Sequence, residues 1–272
     1  LCKLYMREHQ WQKVVEITQQ IKDLNQYELF PTYEGLFAES NKWCKENIFS
    51  SLADALNDAT ELMNHFGPMV HPVVADRWQY YAVSWYFWNS YEPNDKRREL
   101  YFYEYDGSDG LHYQQPIPGQ DNPPAGVYFL PDVATKKYAD PAGSKTYYDG
   151  HGIPILRYAD IILCRAEALN ELNGPNAESI DLINQVKGRA QATLLGAPAT
   201  FSKESLRDAI VQERGWEFFF ECKRRQDLIR TGKYQEITNK YLEAIDELPS
   251  IDINKHRYLP YPQTQVDLNP NL

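Results

Sequence analysis

The sequence has no excess of positive charge, no closely spaced cysteines, no long apolar run and none of the short catalytic motifs. Of 272 residues, 28 are Lys or Arg and 38 are Asp or Glu, a formal net charge of −10. That balance excludes the basic footprint through which proteins release counterions from nucleic acid, and a polybasic contact with anionic lipid. No apolar stretch approaches the ~18–20 residues of a membrane-spanning helix. The longest charge-free run of note, Trp78 to Tyr91, is 14 residues long and full of Tyr. Cys2, Cys44, Cys164 and Cys222 have neither zinc nor redox spacing. They read as free, buried thiols acting as small hydrophobes, and a disulfide stays open. The six histidines form no His-Glu-x-x-His pair, and neither Gly-x-Ser-x-Gly nor a phosphate loop occurs. No cofactor or metal is therefore expected. Asp106-Gly107-Ser108-Asp109-Gly110 reads as a turn, with an adventitious calcium ion as the lesser alternative, because the later Glu of a calcium loop is missing. The opening Leu1-Cys2-Lys3-Leu4-Tyr5-Met6-Arg7 has no initiator Met and no signal-peptide layout; it reads as mid-helix, with the true N-terminus expected upstream.

What the chain has in plenty is aromatic side chains. Six Trp, 20 Tyr and 11 Phe exceed what a helical core demands and suggest a surface for something flat and partly apolar. Eight of them fall between Trp78 and Tyr91. Read as a helix, Trp78, Tyr81, Trp85 and Trp88 share one stripe, which packing on neighbouring helices would explain. One helix cannot hide aromatics on every side, so some of Trp78, Tyr80, Tyr86, Phe87 and Tyr91 should reach the surface. Exposed rings beside planar polar groups suit a sugar, whose C–H faces stack while its hydroxyls hydrogen-bond. The candidate ligand-binding residues are Trp78, Tyr80, Tyr86, Trp88 and Asn89, within a contact region at about 64–125. Should that run prove to be core, the loops around His112 and Tyr113 are next.

Hydrophobic content of 43% with 24% charged residues is that of a globular chain. Trp11, Val14, Val15, Ile17, Ile21 and Leu24 have helical spacing after a break at His9-Gln10, which predicts a helical hairpin resembling a tetratricopeptide repeat. Asn47 to Ser50 reads as extended, and a helix is expected from about Asp54 to His65. Residues 107–154 hold seven Gly and seven Pro, a composition of ordered loops and short strands. From Ile155 to Ile237 four helices in two antiparallel hairpins are expected. Asn173-Gly174-Pro175 and Gly196-Ala197-Pro198 are the breaks, Asn176 and Ser202 the caps. The third should span about Lys203–Phe220 and the fourth about Arg225–Ile237, with a break at Gly232. The fold class is mainly α, tetratricopeptide-like hairpins with an irregular loop-rich insertion at 64–154, within one domain over 1–272.

Glu213, Glu217 and Glu221 recur every four residues, on one helix face. Retaining glycosidases need two carboxylates on opposite sides of a cleft, which one helix face supplies poorly. Three like charges in a row call for cations instead. An ion-pair network is the favoured reading, with Arg214, Arg224, Arg225, Arg230, Arg157 and Arg189 as available partners.

Several segments resemble the SusD/RagB family. Arg157-Tyr158-Ala159-Asp160-Ile161-Ile162-Leu163 with Ala166-Glu167-Ala168-Leu169-Asn170 is similar to its signature helix, and Ile183 to Ala190 to the next. Ile210-Val211-Gln212-Glu213-Arg214, Glu217, Glu221, Arg224, Asp227 to Arg230 and Gly232 resemble its most recognisable stretch. Tyr258-Leu259-Pro260-Tyr261-Pro262-Gln263 to Asn269-Pro270 is similar to its closing segment, and Asp95-Lys96-Arg97 and Lys137-Tyr138 also match. The sequence departs at Cys222, where the family usually has Gly, and at Gly215, where Arg is common. The resemblance implies a C-terminal half of a non-catalytic, lipid-anchored outer-membrane protein of the cell surface. It implies capture of an oligosaccharide or polysaccharide, or in some members a peptide, and delivery to a TonB-dependent, SusC-like transporter. The lipid anchor would lie outside this chain. A glycoside hydrolase built from distant acids is the remaining alternative.

Overall fold

In a computed structural model, residues 1–54, 57, 59–74, 77–139 and 150–269 are described. Parts of the 64–154 insertion and Pro270 thus lie outside the described residues. Contacts divide the chain into two units, Leu1–Cys222 and Lys223–Leu272.

The first unit opens with the expected hairpin, α1 (Cys2–Arg7) and α2 (Trp11–Asp23). His9 turns the chain between them in the left-handed region, φ 54°. Val14 and Thr18 bury one face of α2, and the Thr18 hydroxyl donates back to the Val14 carbonyl at 2.7 Å. α3 (Tyr33–Leu36) is capped by Thr32, and β1 (Asn47–Ser51) fulfils the extended reading. Of the helix expected over 54–65, residues 55, 56 and 58 lie outside the described residues, and among the described ones the helix is α4 (Leu62–Phe66).

The aromatic run is not one helix. Only α5 (Trp85–Trp88) is helical, capped by Ser84. Ahead of it Gln79 sits at φ 47°, and the backbone bonds elsewhere: Trp78 N–H donates to Asn64 at 2.7 Å and Tyr81 N–H to His65 at 3.1 Å. Trp78 and Tyr81 are thereby held against α4 and share no helical stripe with Trp85 and Trp88. A 3₁₀ turn follows at Lys96–Leu100, capped by Asp95. Short strands then alternate with turns, as the Gly and Pro content predicts: β2 (Tyr101–Phe102), β3 (Tyr105–Asp106), β4 (His112–Gln114), β5 (Val127–Phe129), β6 (Ala134–Thr135) and β7 (Ile153–Arg157). β1 pairs antiparallel with β7 and β2 with β6, while β3, β4 and β5 form a three-stranded sheet.

The long helices are α6 (Tyr158–Asn173), α7 (Ala177–Arg189) and α8 (Lys203–Glu217). Asn176 and Ser202 cap α7 and α8 as expected, accepting from Ser179 and Ser205 at 3.0 and 3.1 Å. Three boundaries differ. Ile153–Arg157 is strand because it pairs with β1, so the first helix starts at Tyr158 and not Ile155. α8 stops at Glu217, before Phe220 takes a positive φ of 55°. In the second unit the fourth helix is two, α9 (Arg224–Arg230) and α10 (Tyr234–Ala244), parted at Gly232 with φ 72°. Two short helices follow in that unit, α11 (Ile253–His256) and α12 (Gln263–Leu268).

α6 is buried nearly all round, against α2 on one side and α7 and α8 on the other. Ile162, Leu163, Ile183, Val186, Leu206 and Ile210 fill the helical core. A second core is largely aromatic: Tyr33, Phe37, Trp88, Tyr91, Tyr101, Phe102, Tyr138, Trp216 and Phe219. Much of the aromatic surplus therefore lies inside, joining the loop region to α8. Cys2 and Cys164 are buried as expected, but Cys44 is half-buried and Cys222 exposed; all four are free thiols.

Candidate functional site

Two constellations stand out in the first unit, and one of them is a scaffold. Glu213 and Glu217 on α8, with Glu221 in the turn beyond it, are all buried, and each meets a cation from another element. Arg97 Nη1 lies 2.6 Å from Glu213 and 3.5 Å from Glu217. Arg157, at the end of β7, reaches Glu217 at 2.9 Å, Glu221 at 2.8 Å and also Glu46. Arg189 from α7 bridges Glu46, at 2.6 Å, and Glu217. Lys137 Nζ holds Glu221 at 2.6 Å. Burial raises the cost of charge on Glu217, but Arg189, Arg157 and Arg97 outweigh it and hold its carboxyl below the usual range. Burial pushes the Lys137 ammonium down to about 7, against the pull of Glu221. These three carboxylates are thus enclosed by cations and buried from solvent. The network expected from the Glu spacing is present, with Arg157 and Arg189 as partners. Arg97 and Lys137, prominent only in the resemblance, complete it. Arg214 turns instead to Asp160 at 2.8 Å.

The second constellation is a cavity of about 380 Å³ whose lining includes Trp78, Tyr80, Tyr105, Tyr113, Tyr128 and Asp132. Strand register builds its tyrosine wall. Tyr105 on β3 lies opposite Tyr113 on β4, and Tyr113 opposite Tyr128 on β5. Cross-strand partners put side chains on one face, so the ring centroids are 4.9 Å apart in each pair, Tyr105 and Tyr113 being parallel and stacked and Tyr128 tilted against Tyr113. The turn read at Asp106–Gly110 closes the β3–β4 hairpin, with Gly110 at φ 84°. Its Asp109 carboxylate accepts from the Tyr113 hydroxyl at 2.7 Å and from Leu111 N–H at 3.1 Å, which hold it below its usual range. Burial, helped by Asp109, pushes the Tyr113 phenol up to about 12.

The other part of the cavity comes from the segment before α5. Val83 bridges to Val133, and Trp85 Nε1 donates to the Leu130 carbonyl at 2.7 Å, which brings 78–85 beside 127–133. Trp78 is 40% exposed and Tyr80 67%. Their rings lie 5.5 Å apart, with His65 5.2 and 5.6 Å from them. Asp132 adds a carboxyl whose partial burial raises its pKa. Rings for C–H stacking, phenol hydroxyls and one carboxylate are the groups that suit a polyol.

Of the five residues singled out in the sequence, Trp78 and Tyr80 meet in this cavity. Tyr86 and Asn89 are exposed on and just after α5, outside its lining. Trp88 is 6% exposed; Trp85 packs on it edge-on and the Arg98 guanidinium covers its face at 4.1 Å. Its ring is a core element with no free face for stacking. Tyr105 and Tyr128 were missed and Tyr113 was only a fallback. The available signal was a Gly-rich turn flanked by Tyr105 and Tyr113, the pattern of a hairpin.

Helical hairpins with an inserted loop region that presents an aromatic cavity define a helical-repeat protein with a ligand-sized recess. The chain belongs to the SusD family: a sequence model of that family matches residues 74–272. It is 40% identical over 124 residues to the SusD-like protein P25 of Formosa agariphila, 43% of this chain and 22% of that one. It is 34% identical over 102 residues to the starch-binding protein SusD of Bacteroides thetaiotaomicron, 38% and 16% of the two chains. Surface glycan-binding protein A from Bacteroides thetaiotaomicron, solved in complex with laminarihexaose, superposes with a TM-score of 0.70 at 22% identity, over 98% of this chain and 60% of that chain. The chain is thus much shorter than the proteins it matches.

Proposed function

We propose that this chain forms part of a non-catalytic glycan-binding protein of the outer-membrane surface, lipid-anchored through a segment outside it, that passes oligosaccharide to a TonB-dependent transporter. The observation that carries the reading is the tyrosine ladder of Tyr105, Tyr113 and Tyr128 sharing one cavity with the exposed Trp78 and Tyr80. Membership of the SusD family and the laminarihexaose complex of a protein of the same fold support a saccharide as the occupant. Enclosure of the three clustered glutamates by arginine and lysine supports binding over hydrolysis. No helix among the described residues is long and apolar enough to cross a membrane. We take the sequence over 1–272 as one family domain, with 64–154 as its loop-rich ligand-bearing region.

Calorimetric titration of the chain with neutral β-glucan and starch oligosaccharides is the test. Binding that Trp78→Ala or Tyr128→Ala weakens supports the reading. Release of reducing ends would overturn the non-catalytic assignment, and co-purified peptides identified by mass spectrometry would make a peptide the occupant.

A further inference from the structure

The 3₁₀ turn Lys96–Leu100 stands between two further cavities of about 520 and 500 Å³, which share Lys96, Glu99 and Gln191 in their linings. Neither shares a residue with the aromatic cavity. The deeper cations of the first, Lys137 and Arg189, already hold Glu221, Glu46 and Glu217. Lys96 is paired with Glu99 at 2.6 Å. Two half-buried cations differ. Lys136, in the first cavity, makes no side-chain ion pair or hydrogen bond among the described residues, and its ammonium lies 5.3 Å over the Phe102 ring. Arg98, in the second, likewise has none; its guanidinium carbon lies over the Trp88 ring, 4.1 Å from the centroid. Burial depresses the Lys136 pKa, although Glu34 and Glu99 draw it up from beyond ion-pair range.

A half-buried cation without a counter-ion is unfavourable, and an anion delivered to it recovers the lost solvation. Stacking on an indole fixes the plane of a guanidinium, which presents its edge for two-point contact with a carboxylate or sulfate. We propose that these adjoining cavities take the acid groups of an anionic oligosaccharide, carboxylated or sulfated, through Lys136 and Arg98. This deepens the glycan-binding reading and rests on it. The aromatic cavity then holds sugar rings, and the two cations select for charge on a chain whose own net charge, −10, disfavours polyanions elsewhere.

The experiment compares tetragalacturonate and a sulfated carrageenan tetrasaccharide with neutral laminarihexaose by calorimetry, at 20 and 300 mM NaCl. The expected result is about tenfold tighter binding of at least one acidic ligand at low salt, shrinking at high salt as charges are screened. Lys136→Met and Arg98→Gln should each lose most of that preference and leave laminarihexaose binding unchanged. Arg98 also covers Trp88, so melting curves accompany both variants, and Lys136→Met decides if Arg98→Gln unfolds. Absence of acid preference, or a preference indifferent to Lys136, overturns the proposal. Failure of the aromatic-cavity reading has a different signature: Trp78→Ala leaves neutral binding unchanged while the Lys136 effect persists.

Discussion

Arg157 binds Glu217 twice: Nη1 lies 2.9 Å from the carboxylate, and Nη2 donates to the same residue's backbone carbonyl at 3.2 Å. The last residue of β7 thereby closes the C-terminal end of α8, where free carbonyls attract a cation. Arg157→Ala leaves Glu217, Glu221 and Glu46 short of positive charge in the interior. We expect it to lower unfolding free energy by about 3–5 kcal/mol, measured by chemical denaturation. A loss below about 1 kcal/mol would show that the remaining cations suffice.

The same network sets an acid limit. The Glu217 pKa in the folded state lies below that of the unfolded chain. The unfolded state therefore binds the proton more readily. The stabilisation is complete above the ordinary carboxylate pKa and disappears as pH falls through the depressed folded value. Denaturation midpoints should fall progressively below about pH 4.3, and Glu217→Gln should flatten that fall. An equally steep fall in the variant would place acid sensitivity in other groups.

His112 sits between two carboxylates, 2.8 Å from Asp106 and 3.4 Å from Glu104, with Asp106 the main reason its pKa is raised. Asp106 is also its cross-strand partner on β3. The sign is the reverse of Glu217: the contribution is full below about pH 6.5 and is lost as pH rises through the higher folded value. Side-chain NMR titration should show a midpoint above 6.5, and Asp106→Asn should bring it down. No change in Asp106→Asn would remove that carboxylate as the cause.

Trp78 and Trp88 should behave oppositely. Trp88→Ala empties a buried, Arg98-covered site and should destabilise by about 3–5 kcal/mol. Trp78→Ala should leave melting nearly unchanged and weaken oligosaccharide binding by roughly 1–3 kcal/mol, the range seen for ring stacking. Melting scans and calorimetry on both variants check this. Equal destabilisation in the two would make Trp78 structural.

Cys222 occupies a left-handed conformation, φ 57°, and is exposed. Glycine adopts that conformation at little steric cost. Cys222→Gly should raise unfolding free energy by up to about 1 kcal/mol, read from denaturation midpoints, and a lower midpoint would show that its side chain contributes packing.

The helical scaffold was legible because breakers and caps punctuate it. Asn173-Gly174-Pro175, Asn176 and Ser202 fall where α6 ends and α7 and α8 begin. The glutamate spacing also announced its cations, since three buried carboxylates cannot share a face unaccompanied. The cavity was less legible. Eight aromatics among 14 residues satisfy any period, so Trp78 to Trp88 passed for a helix. What decides that segment is long-range: Asn64 and His65 take the backbone bonds of Trp78 and Tyr81, and Val133 those of Val83. Tyr128 joins Tyr113 through a parallel pairing across a loop, which no local pattern announces.

The residues by which the chain is recognised, Arg97, Arg157, Glu213 and Glu217, belong to the buried charge lattice and line no part of the aromatic cavity. The residues that carry the family resemblance and those that line the aromatic cavity thus lie in separate portions of the molecule. The lattice ties α7, α8, β7 and the 96–100 turn into one frame. The cavity-lining segments, which carry Trp78, Tyr80, Tyr105, Tyr113 and Tyr128, stand outside that lattice. Exchange of those loops between relatives should then transplant sugar preference while the helical frame keeps its melting behaviour.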